Sequence, residues 1–95
     1  MRIYDKTTWQ KDAGVIKDII SDHFKLLFTW LKNKGLLNDE GLEIYDLASF
    51  SDTSLHEGLL TERGNAFISK IYDELLKTAS YGSYEVTEFL NKHYS

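Results

Sequence analysis

The sequence predicts a mostly α-helical domain, a small bundle of two long and two short helices with an irregular acidic connection. Three observations carry this expectation. Apolar residues recur at helical spacing over residues 13–34 and again over 62–80. The chain has no proline, and its six glycines punctuate the pattern. The one stretch that alternates apolar and polar residues, 42–47, has no evident partner strand. Ninety-five residues form one domain, 1–95, and 14% aromatics give a chain this short the means to build a core.

Residues 1–12 read as an ordered, irregular lead-in, with Trp9 packing on the domain. The first long helix spans about Ala13 to Lys34. Ile16, Ile20, Leu27 and Leu31 form one line along it. Ile19, His23, Leu26 and Trp30 form the next, flanked by Phe24 and Phe28. Asp12 is the expected N-cap, Lys32 and Lys34 suit the negative end of the dipole, and Gly35 fits a left-handed C-terminal position.

Asn38-Asp39-Glu40-Gly41 is a turn signal, and 42–47 reads as a loop or a short helical turn packed by Leu42, Ile44 and Leu47. Ser54-Leu55-His56-Glu57 matches a capping box before a short helix, Leu55 to Leu60. Thr61 caps the second long helix, Glu62 to Ser80, with a stripe of Phe67, Ile68, Ile71, Tyr72, Leu75, Leu76 and Ala79. Gly82 ends that segment. Ser83 caps a last helix, Tyr84 to His93, with Val86, Phe89, Leu90 and His93 on one side.

Charge is distributed unevenly. Residues 1–34 carry a net +3 and residues 63–95 are neutral, while residues 35–62 hold seven acids and no base. The bland reading of that acidic segment is a solvated loop balancing the first helix. The functional reading is a surface that docks a basic protein and speeds the encounter. Its contact set is Asp39, Glu40, Glu43, Asp46 and Asp52, with Tyr45 and Phe50 as aromatic anchors. Simple anchoring of the loop is the competing role for those two aromatics.

The other function classes find little support. There is no cysteine, and the three histidines lack zinc-ligand spacing, so neither metal nor cofactor is expected. Ser21, Asp22 and His23 are adjacent on one helix and cannot converge as a triad. No glycine-rich phosphate loop is present, and no enzyme is expected. Leu60-Thr61-Glu62-Arg63-Gly64 resembles the exit from the wing of winged-helix proteins. A basic recognition helix is missing, however, and a net charge of −4 disfavours nucleic acid. The start lacks a signal peptide and no apolar run spans a bilayer, so a cytoplasmic location is expected. A homodimer through Tyr81, Tyr84 and Tyr94 is the competing partner reading.

Several motifs together resemble a family of short, uncharacterised bacterial proteins, a domain of unknown function. They are Tyr4-Asp5-Lys6 followed by Trp9, a helix running from His23 through Trp30 to Asn33-Lys34-Gly35-Leu36, and Leu60 to Asn65 before Phe67 and Tyr72. The family pattern carries a proline-containing loop after the Trp, which this chain lacks. The resemblance brings no established activity. Its members look like immunity proteins of bacterial toxin systems, which implies by analogy an inhibitor that fills the basic cleft of a nuclease toxin with carboxylates.

Overall fold

A computed structural model describes residues 1–47, 50 and 52–94. The chain is mostly α-helical, with a two-stranded antiparallel sheet. In order it forms β1 (Ile3–Lys6), α1 (Thr7–Asp12), α2 (Lys17–Asn33), α3 (Asp39–Leu47), β2 (Ser54–His56), a short 3-10 helix (Glu57–Leu59), α4 (Glu62–Thr78) and α5 (Tyr84–His93).

The core follows the helical periodicity. Helix α2 buries Ile20, His23, Phe24, Leu27, Phe28, Trp30 and Leu31 along one broad face. Against it lie Ile68, Ile71, Tyr72 and Leu75 of α4 and Val86, Phe89 and Leu90 of α5. Thr61 caps α4 by accepting from the Gly64 N–H at 3.0 Å, and Ser83 caps α5 by accepting from Glu85 N–H at 3.2 Å. Gly35 has φ +70, the left-handed conformation expected beyond the end of α2.

Four local expectations differ from the structure. The lead-in is a strand and a short helix. Asp5 pairs with Leu55 and Lys6 with Ser54, and the register slips between Ile3 and Asp5. Asp12 closes α1 and does not cap α2, whose N-cap position is Ile16, with no side-chain bond. Residues 55–60 are the end of β2 and the 3-10 turn. Ser54 is engaged in the strand, and the cap is supplied instead by His56 Nδ1, which accepts from Gly58 N–H at 3.1 Å. The stretch 42–47, read as a loop or a short helical turn, is helical but longer than a turn, part of the nine-residue α3. Asn38 starts it, with Oδ1 accepting from Gly41 N–H at 2.8 Å.

The chain also closes on itself beside α4. Leu37 and Leu60 form an isolated antiparallel bridge, and Thr61 N–H donates to Leu36 O at 2.9 Å. The Asn38 amide reaches Gly58 O at 2.8 Å. The start of α3, the 3-10 turn and the start of α4 are thereby tied together.

Candidate functional site

Asp39, Glu43 and Asp46 fall four and three residues apart, so α3 places them on one stripe, with Glu40 at its edge. All four side chains are exposed. Asp39 and Glu40 lie in the first turn, where a negative charge complements the helix dipole. Asp46 lies in the last turn, where the dipole disfavours it and no basic residue compensates. Among the described residues, none of the four forms an ion pair with Lys or Arg. Leu42 and Leu47 flank the stripe and are 38% and 77% exposed.

The other three predicted contact residues go elsewhere. Phe50 is only 8% exposed, with its ring edge-on to Phe28 at 5.5 Å. It is a core anchor, held in a left-handed backbone conformation at φ +59, and presents no contact surface. Tyr45 is half-buried. Its ring tilts against Phe50 and its hydroxyl lies 3.3 Å from Thr29 Oγ1, while Lys32 Nζ sits 4.6 Å from the ring centre. Asp52 is exposed, but it lines a separate cleft with Thr7, Thr8, Lys11 and Lys17.

A second cluster had not been singled out from the sequence. Asp5 is buried beneath β1 and receives four donors. Its Oδ1 accepts from Lys6 N–H at 2.8 Å and Gln10 Nε2 at 3.0 Å. Its Oδ2 accepts a short bond from the Tyr72 hydroxyl and a 3.0 Å bond from Tyr81. His23 adjoins them, with Nε2 2.9 Å from the Tyr72 oxygen and 3.8 Å from Asp5 Oδ2. Gly82 N–H donates to His23 Nδ1 at 3.1 Å. That donor makes Nδ1 the acceptor, so the ring proton resides on Nε2. The chain of donation is then His23 to Tyr72 to Asp5, and every member is satisfied.

Burial governs the titration of this cluster. It pushes the His23 pKa down to about 4, against the opposing pull of the Asp5 charge. Burial, then the Asp5 charge and its hydrogen bond, hold both Tyr72 and Tyr81 well above the ordinary phenol range. The Tyr81 ring stacks on His23 at 3.6 Å between centroids and 11° between planes. The cluster thus joins β1, α2, α4 and the turn before α5 through polar groups alone. The sequence hints at it only through His23 and Tyr72, polar groups on the apolar lines of two helices.

A groove of about 540 Å³ runs between α2 and α5, lined by Asp22, Leu26, Thr29, Trp30, Asn33 and Thr87 among others. None of Asp5, His23, Tyr72 and Tyr81 lines this groove or the Asp52 cleft. Among the described residues, no group of His, Asp and Glu side chains is arranged to hold a metal ion, and no helix is long and apolar enough to cross a membrane. No protein-family model, curated protein or solved structure matches this chain.

Proposed function

We propose that this chain is a protein-binding module that docks a basic partner on the outer face of α3. It acts through that acidic surface; occlusion of a basic cleft is the mode of action of the alternative, an immunity-type inhibitor of a nuclease toxin. One observation carries the reading. The stripe of Asp39, Glu43 and Asp46 is exposed and unpaired with any Lys or Arg among the described residues, and it lies beside the exposed Leu42 and Leu47. Carboxylates in such a stripe attract and orient a basic surface, and apolar groups beside them supply area to bury. Asp46 adds weight, because its place in the last turn of α3 brings the helix no stability.

The test compares the natural chain with the double variant Glu43→Lys and Asp46→Lys, each tagged and exposed to its native cell lysate at low and at physiological salt. Both positions lie beyond the first turn, where lysine does not oppose the dipole, so helicity by circular dichroism is expected to be unchanged. A stoichiometric basic protein held by the natural chain, weakened by salt and lost by the variant, supports the reading. A partner retained equally by the variant places the interface elsewhere and overturns it, as does no partner at either salt.

A further inference from the structure

We propose that the Tyr81–Gly82 turn is an acid-released latch: a proton taken from solvent onto His23 Nδ1 expels the Gly82 N–H and frees the turn, and α5 behind it, from α2. The geometry leaves the proton no other place. His23 Nε2 already carries the hydrogen it donates to Tyr72, so an added proton must go to Nδ1. That nitrogen faces the Gly82 N–H at 3.1 Å, and two donors cannot share the position.

The turn has little room to adjust. Gly82 has φ +75, and a Cβ there would meet Ile19 O at 2.7 Å, so the backbone lies directly on α2. A shift that relieves the clash at Nδ1 must therefore move the turn away from the helix. The Tyr81 ring stacked on His23 moves with it, and its hydroxyl leaves Asp5.

The groups facing His23 come from each element packed on it. Asp5 of β1 favours the imidazolium by its charge. Tyr72 of α4 and Tyr81 of the turn face it as neutral phenols. Its own helix contributes the uncharged Phe24 edge-on, and the neighbouring Asp22 lines, with Gly82, the groove between α2 and α5. Glu85 of α5 holds the turn from the far side, accepting from Ser80 N–H at 2.8 Å. Asp5 is thus the one charge against the ring, and it is shared among four donors. Burial prevails over its pull and keeps the latch closed at neutral pH.

Amide hydrogen exchange by NMR on the full chain, from pH 7 to pH 4, reads this directly. With His23 titrating near 6.5 in the open turn and near 4 in the closed one, protection of Gly82 and of the Val86–Leu90 amides falls on the order of 100-fold. The amides of Leu27–Leu31 and Ile68–Leu75, which open only with the whole chain, stay more protected than Gly82 at every pH, and His23→Gln removes the pH dependence at Gly82. Flat protection at Gly82 overturns the proposal. So does protection of Gly82 and α5 equal to that of α2 and α4 at every pH, which means that the turn opens only by global unfolding. So does a His23→Gln chain with unchanged pH dependence. Should that variant fail to fold, the ring-nitrogen shifts of His23 in the natural chain decide: they must titrate near pH 4, where the fall in Gly82 protection levels off, and a ring that titrates near 6.5 refutes the latch.

Discussion

The Tyr4 hydroxyl donates a 2.7 Å hydrogen bond to Asn65 Oδ1, joining residues 61 positions apart in the chain. The Asn65 amide in turn donates to Glu57 O at 3.0 Å. One side chain therefore fastens β1, the 3-10 turn and the first turn of α4. Asn65→Ala removes an acceptor and a donor together and leaves the tyrosine hydroxyl without its partner. A loss of about 1–3 kcal/mol is expected by urea denaturation. Tyr4→Phe removes one bond only and is expected to lose about 0.5–1.5 kcal/mol. Equal losses would show that the two bonds of Asn65 are not independently useful.

Asp5 accepts from four donors in the core. Replacing it by Ala strands the Tyr72 and Tyr81 hydroxyls, with Tyr72 itself buried. A loss of about 3–5 kcal/mol is expected, as for breaking a buried charged network. Tyr81→Phe removes a single half-buried donor and should lose about 1 kcal/mol. Denaturant midpoints of the two variants check the order. A milder effect of Asp5→Ala than of Tyr81→Phe would mean that water replaces the carboxylate.

Parts of this fold were legible because local signals agree with packing. The apolar period of α2, α4 and α5, the caps Thr61 and Ser83, and Gly35 all act within a turn of their own position. The sheet was not legible. Strands of four and three residues, Ile3–Lys6 and Ser54–His56, owe their form to a pairing some fifty residues distant. Helix α3 hid for another reason. Leu42 and Leu47 face solvent, so its apolar residues do not trace a buried stripe, whereas its acids at 39, 43 and 46 do keep helical spacing. The candidate face was therefore readable as acids but not as a helix surface. The two roles of Phe50 were not separable in the sequence, because an aromatic among charges has the same composition whether it points outward or, as here, anchors the loop against Phe28. The Asp5–His23 cluster draws on four separate elements, and no spacing within any one of them announces it.

Among the lines of apolar residues along α2, burial separates positions that look alike in sequence. Leu27 is fully buried, while Ile16, at the N-cap position, is 63% exposed. Leu27→Ala is expected to lose about 2–5 kcal/mol, through lost transfer energy and the cavity left behind. Ile16→Ala should change stability by less than about 0.5 kcal/mol. Thermal and denaturant unfolding of the pair check this. Comparable losses would mean that Ile16 packs against the domain.

The pH dependence of stability follows from His23. Its pKa is lowered from 6.5 to about 4 on folding, so between those values the unfolded chain binds more protons than the folded one. The stabilisation from keeping the ring neutral is fully present above about pH 6.5 and declines as the pH falls toward 4. The shift corresponds to about 3 kcal/mol, lost over that window. His23→Gln carries no titrating ring and should flatten this part of the profile while losing stability at neutral pH, where the contacts to Tyr72 and Gly82 are altered. Urea titrations at half-unit steps from pH 7.5 to pH 4 measure both chains. A natural chain as steep as its variant between pH 6.5 and 4 would assign the slope to the carboxylates and not to His23.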